Sequence, residues 1–283
     1  MFSLIERAQL GLLRARGYRS RTVDSPAGRL HALEVSGRGP LPCVVLLHGL
    51  GSCGADFAPL VRHLRGHAQR VVAVDLPGHG RSPMLASGWS LPQVRRHLQD
   101  SLHKLTQGPA VVFGNSLGGL AALHYALDRP DAVLGLVLAS PAGAPIAEDA
   151  LPAFTGQFAI EGHRQALKFI DRVTARRHPM RHLFAAGVHA RLRRPEIQEL
   201  LAGIRSEDLL RPQDLTSLEG PVLLSWGRQE RVLPRAHLDF FRTHLPEQAQ
   251  VTEPDDVGHA PHLDSARDLA GVIVDFARRL NAI

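Results

Sequence analysis

Cysteine is scarce, with two residues, Cys43 and Cys53, in a chain of 283. That excludes a fold stapled by disulfides and fits a reducing compartment, so a cytoplasmic location is expected. Lysine is as rare, present only at Lys104 and Lys168, so the net charge of +6 rests on arginine. Basic charge of this kind reads as a solvated surface. A nucleic-acid partner would need it gathered on one face beside a binding motif, and none is visible. No apolar run reaches the roughly 18 residues that crossing a membrane requires. The opening stretch, Met1–Gly17, mixes Phe2, Leu4, Ile5, Leu10, Leu12 and Leu13 with Glu6, Arg7, Arg14 and Arg16. It has no long apolar core followed by a small-residue cleavage site, which argues against a signal peptide. An amphipathic helix docked on the body is expected, with membrane-surface contact the lesser alternative. Metal-ligand clusters, a P-loop and a dinucleotide fingerprint are all missing, so neither metal nor cofactor is expected.

What the chain does have is Val111-Val112-Phe113-Gly114-Asn115-Ser116-Leu117-Gly118-Gly119-Leu120. An apolar run ends in Gly-x-Ser-x-Gly and passes directly into a helical pattern. A serine on such a sharp strand-to-helix turn projects its hydroxyl out of the fold. A Cβ at 114 or 118 would strike neighbouring backbone in so tight a turn. The helix starting at Leu117 aims its positive end and free N–H groups at the serine, where acyl transfer develops a negative oxygen. The bland alternative is a glycine-rich turn with an idle hydroxyl.

Around this stretch, apolar runs alternate with helical spacing. Arg19–Asp24 and Leu30–Val35 flank a turn and read as a hairpin. Cys43–Leu47, Val71–Asp75, residues 110–113, Val133–Ala139 and Val222–Trp226 read as strands, and Ala249–Thr252 weakly so. Helices are expected at Phe57–Leu64, Leu91–Gln107, Leu117 to Arg129 and about Ser265–Leu280. This rhythm predicts an α/β fold, a doubly wound and mostly parallel sheet with right-handed crossovers. It breaks over residues 144–214, an arginine-rich stretch of helical spacing at Gln165–Val173, Met180–His189 and Glu196–Ile204. The expected organisation is therefore a core of 1–143 and 215–283 with 144–214 inserted as a helical cap. Such a cap would cover the sheet's carboxyl edge, where open α/β folds bind ligands.

A serine needs a base, and the base an orienting carboxylate. Of sixteen histidines, His259 in Val257-Gly258-His259-Ala260-Pro261 stands after the last strand and before the last helix, on the edge expected for Ser116. His262 is its nearby competitor. For the acid, Glu230 lies in the loop after Val222–Trp226, with pairing to Arg228 or Arg231 as its bland alternative. Asp255 and Asp256 are the other carboxylates in range, close in sequence to the histidine. The resulting order of serine, acid and histidine is that of the α/β-hydrolase arrangement.

His48-Gly49-Leu50-Gly51-Ser52, Asp75-Leu76-Pro77-Gly78-His79-Gly80-Arg81-Ser82, Gly114–Gly119, Trp226–Pro234 and Gly258-His259 occur in one order across most of the chain outside 144–214. Together they resemble the α/β-hydrolase superfamily in its capped esterase and C–C hydrolase branch. The resemblance implies Ser116 as nucleophile, His259 as base and the backbone N–H groups of Leu50 and Leu117 as oxyanion hole. At the acid position the family usually has aspartate, where this chain has Glu230. Two fixed donors fit the chemistry, since losing one costs ~3 kcal/mol of barrier in comparable enzymes. His48 reads as a structural hydrogen-bonder, and Arg81 as an ion-pair donor shaping its loop. The expected function is hydrolysis of a carboxylic ester, or a related acyl bond, through an acyl-enzyme on a small-molecule acyl substrate. One alternative is C–C cleavage of a carboxylate-bearing diketone, with Arg164, Lys168, Arg172, Arg176, Arg177 and Arg181 recognising the carboxylate; a solvated helix face is the preferred account of those cations. Acyl transfer on the same residues and a non-enzymatic binding module are the others.

Overall fold

Five of the apolar runs become the centre of one sheet. The structure, a computed structural model, describes residues 4–88 and 90–280. Its strands are β1 (Arg19–Ser25), β2 (Gly28–Ser36), β3 (Leu41–Leu47), β4 (Ala68–Asp75), β5 (Ala110–Asn115), β6 (Val133–Ala139), β7 (Val222–Ser225) and β8 (Gln250–Thr252). They lie in the order β1-β2-β4-β3-β5-β6-β7-β8. The hairpin β1–β2 joins β4 antiparallel, and every other pairing is parallel. This is the mostly parallel sheet of an α/β fold that the alternating pattern predicts.

Successive strand residues point to opposite faces, and both faces are buried. Val45 and Leu47 of β3 join Val72, Val112 and Leu138 in one core, while Val44 and Leu46 join Val71, Phe113 and Val137 in the other. Helices α1 (Leu4–Ala15), α2 (Ala58–Leu64), α3 (Leu91–Thr106) and α4 (Leu117–Asp128) precede β6. Leu13 of α1 is buried in the second core and Leu10 packs beside it, so the amphipathic helix docks on the body. Met1, Phe2 and Ser3, and the side chains of Leu4 and Ile5, lie outside the described residues.

Between β6 and β7 the described residues hold helices alone: α5 (Leu151–Gly156), α6 (His163–Val173), α7 (Arg181–Leu192), α8 (Pro195–Gly203) and α9 (Pro212–Thr216), with short 3-10 turns. The three longest coincide with the helical spacing in the sequence. After β7 come α10 (Arg235–His244), α11 (Pro261–Asp264) and α12 (Ala266–Leu280). Helix α10 had no expectation in the sequence. Its burial on Leu238 and Phe241 amid polar residues is a narrow stripe.

The strand order fixes where a ligand would lie. From β3 the chain steps one way to β4, then returns past β3 to β5, so neighbours β3 and β5 feed loops that diverge. Crevices outside the carboxyl ends of strands at such a switch point are the binding sites of open α/β sheets. Leu50 follows β3 and Ser116 follows β5.

Candidate active site

Ser116 is the single residue between β5 and α4, with φ of 54° and ψ of −118°. Sterics set up this turn. A Cβ at Gly114 would sit 2.3 Å from the carbonyl oxygen of Gly118, and one at Gly118 would sit 2.2 Å from that of Leu47. The Ser116 carbonyl accepts from Gly119, Leu120 and Ala142, and its N–H donates to Ala139 at 3.1 Å. The residue is anchored on both sides while its side chain stays at the sheet's rim.

The loop after β3 passes directly over the serine, with a Cβ at Gly49 only 3.2 Å from that of Ser116. Among the described residues, the backbone N–H groups of Leu50 and Leu117 donate to no acceptor. Two backbone donors are thus unspent on the loops that flank Ser116. His48 is fully buried below them, its Nδ1 at 2.8 Å from the Gly49 carbonyl and its Nε2 accepting from Leu76 N–H at 3.0 Å. Those partners require the neutral ring, and burial lowers its pKa accordingly. His48 is the structural hydrogen-bonder expected of it.

Glu230 and His259 come together. His259 Nδ1 lies 2.7 Å from Glu230 Oε2, and the two side chains are 8% and 3% exposed. Glu230 Oε1 accepts from Val232 N–H at 2.7 Å and Leu233 N–H at 3.0 Å. Burial raises the Glu230 pKa, but the His259 charge and hydrogen bond, with the Leu233 amide and Ser140 hydroxyl, outweigh it and bring the carboxyl down to about 2. The rival partners are engaged elsewhere: Arg228 pairs with Asp255 and Arg176 with Asp256 in exposed contacts, while Arg231 donates to the Thr174 and Ala175 carbonyls. His262 is buried edge-on against Phe57, and burial drives its pKa down to about 4.

The link from this pair to the serine was missed in the sequence. Asn115 Nδ2 donates to the carbonyls of His259 at 2.7 Å and Ala139 at 3.0 Å. One amide thus ties the histidine loop, the end of β6 and the serine turn together. Among the described residues Ser116 Oγ makes no hydrogen bond to the imidazole; such contacts commonly tighten when substrate docks. The signal for Asn115 was its place: a polar side chain ending a buried strand must find partners.

The helical segment closes over these loops. Arg191 of α7 forks onto Asp56 at 2.6 and 3.2 Å, and Leu192 packs against Gly51. Asp264 accepts from Gly258 and Ala175, both at 2.7 Å, joining the histidine loop to the turn after α6. Asp75, buried below, accepts from the N–H groups of Gly54 and Arg81 and pairs with His31, and the Arg81 guanidinium reaches Ser20. Of the six cap cations, Arg164, Lys168, Arg176 and Arg177 are exposed. Arg172 is held by Gln157 and the Arg231 carbonyl, and Arg181 by Asp171.

Comparison with known proteins identifies the fold and the family. The family model described as alpha/beta hydrolase fold matches residues 42–266. A pimeloyl-[acyl-carrier protein] methyl ester esterase of Methylococcus capsulatus is 33% identical over 258 residues, covering 86% of this chain and 97% of its own length. Among solved structures, a bacterial membrane phospholipase A superposes with a TM-score of 0.83 at 22% identity, covering 99% of this chain and 93% of its own. Carboxylesterase CesB of Bacillus subtilis gives 0.79 at 22% identity, covering 96% and 95%. With a family model that spans most of the chain and a relative 33% identical across 86% of it, the chain belongs to the alpha/beta hydrolase fold family, and it is a hydrolase.

Proposed function

We propose that this hydrolase cleaves carboxylic esters through an acyl-enzyme on Ser116. His259 takes the serine proton as Oγ attacks the ester carbonyl, and Glu230 holds the ring with Nδ1 protonated and stabilises the imidazolium that forms. The carbonyl oxygen, now negative, is received by the N–H groups of Leu50 and Leu117. His259 then protonates the departing alcohol, and water, deprotonated by the same ring, releases the acid. The observation that carries this reading is the Glu230–His259 contact of 2.7 Å, on a loop tied by Asn115 to the residue beside the serine. No step calls for a metal or cofactor.

Residues 144–214 act as a cap inserted into the core 1–143 and 215–283. The reading is supported by the Leu210 N–H bonded to the Gly143 carbonyl at 2.7 Å, which draws the ends of the insertion together. A carboxylate-bearing diketone substrate would need the cap cations free at the site, and their exposure or engagement favours the ester. A cytoplasmic location is supported by two unpaired, buried cysteines; among the described residues no helix is long and apolar enough to cross a membrane. The methyl ester named for the Methylococcus relative makes esters of small alcohols the natural first substrates. The test is turnover of a chromogenic ester alongside fluorophosphonate labelling. Ser116→Ala should abolish labelling and cut turnover by at least about a thousandfold. Labelling that persists in the alanine variant removes Ser116 from the mechanism.

A further inference from the structure

At Leu117, the residue that follows Ser116, begins an apolar cavity that is partly open to solvent. Leu76 after β4, Leu98 of α3 and Leu200 of α8 wall it, and its floor is one face of α4: Leu117, Leu120 and His124. Those three positions fall on one helical stripe, and the stripe begins on the residue that follows Ser116. From Leu117 to His124 the helix rises about 10 Å, the reach of an extended chain of roughly eight carbons. Leu200 is the one α8 residue that lines the cavity; the other lining residues lie between Leu76 and Tyr125.

The far end of the stripe is not apolar. His124 is about nine-tenths buried, and neither ring nitrogen has a hydrogen-bond partner among the described residues. Burial, helped by nearby Arg95, lowers its pKa to about 4, so the ring is neutral. A neutral imidazole offers one donor and one acceptor, and buried polar atoms are rarely left unpaired. Arg95, the cation lining the same end, is bound through Nε to Asp128 at 2.7 Å.

We propose that this cavity is the acyl-chain subsite of the enzyme, taking a chain of roughly eight carbons along α4 whose terminal hydroxyl is hydrogen-bonded by His124. The assignment rests on the ester-cleaving reading above. A hydroxyl can pair with either ring nitrogen, accepting from the protonated one or donating to the bare one. A methyl end leaves both unpaired. A carboxylate accepts only, and Arg95 is already committed to Asp128.

The experiment compares kcat/KM for chromogenic esters of acetate, octanoate, ω-hydroxyoctanoate and the eight-carbon diacid, within each of several variants. The wild type should favour octanoate over acetate by about tenfold or more, and the hydroxy ester over octanoate by a similar factor. His124→Phe keeps the size of the ring and removes its polar atoms, so the hydroxy preference should vanish. Ala121→Phe fills the middle of the cavity and should reverse the octanoate-to-acetate ratio; Ala121→Leu does so partially if the larger side chain is not tolerated. A hydroxy preference that is absent, or that survives His124→Phe, overturns the proposal. So does an octanoate-to-acetate ratio untouched by both Ala121 variants, or a preference for the diacid. Failure of the ester reading looks different: no ester is turned over and Ser116 takes no label.

Discussion

At the residue scale, the proposed chemistry depends on groups that never meet the substrate. Glu230→Gln keeps the shape but can present an N–H to His259 Nδ1, which disfavours the tautomer the serine requires. Turnover should fall by up to about ten-thousandfold with a far smaller change in KM, read from steady-state kinetics. Asn115→Leu strips the carbonyls of His259 and Ala139 of their shared donor. The Ala139 carbonyl keeps the Ser116 N–H, but the His259 carbonyl is left unpaired at a cost of about 1–3 kcal/mol, so the melting temperature should drop by several degrees and kcat with it. Chemical rescue of stability by a second-site change should leave kcat low, because the histidine loop is still untethered. Glu230 was legible in the sequence through its place after a strand. Asn115 stood inside the motif that was read, yet its role was not. Chain order reveals which loops share an edge, and it says nothing of which carbonyl a side-chain amide will reach across 144 positions.

At the scale of elements, the strands were legible because both faces of a central parallel sheet are buried, which leaves continuous apolar runs. The helices of the insertion were also legible, but their seating was not. It rests on single contacts such as Arg191 with Asp56. Burial would raise the Asp56 pKa; the Arg191 charge and hydrogen bonds, with the Ser52 hydroxyl, hold it low instead. The pair is only part-buried, with side-chain exposures of 18% and 23%. Arg191→Met should therefore destabilise by about 2 kcal/mol, less than the loss of a fully buried partner. Because Asp56 sits just beyond the Leu50 turn, the same variant should raise KM for esters. A double-mutant cycle with Asp56→Asn measures the coupling, and additivity would show that α7 is seated by other contacts. Helix α10 escaped the sequence because its apolar stripe is two residues wide, too narrow to stand out from an arginine-rich background.

At the scale of the whole molecule, the buried histidines make the protein acid-sensitive in an unusual window. Burial lowers His79 to about 3, and His124 and His262 to about 4. Each is neutral in the fold and titrates near 6.5 in the unfolded chain. Their neutral forms stabilise the fold fully above that value, and the contribution is lost as pH falls toward 3–4. Glu230, lowered to about 2, adds a second loss below its unfolded value of 4.5. Asp264, raised by burial, works weakly in the opposite sense. Thermal melts should decline from about pH 6.5 downward, before carboxylates begin to titrate. A flat melting temperature between pH 6.5 and 5 would mean that these rings find proton-accepting partners when charged.

The backbone at position 116 has a cost that catalysis conceals. An L-residue held at φ 54° and ψ −118° sits in a region only glycine enters freely, at about 1–3 kcal/mol. Ser116→Gly should relax it and melt higher than the parent by a few degrees, while being chemically dead. Selection for thermal endurance alone would erase the proposed nucleophile. Directed-evolution screens that score heat resistance without turnover should find that substitution early.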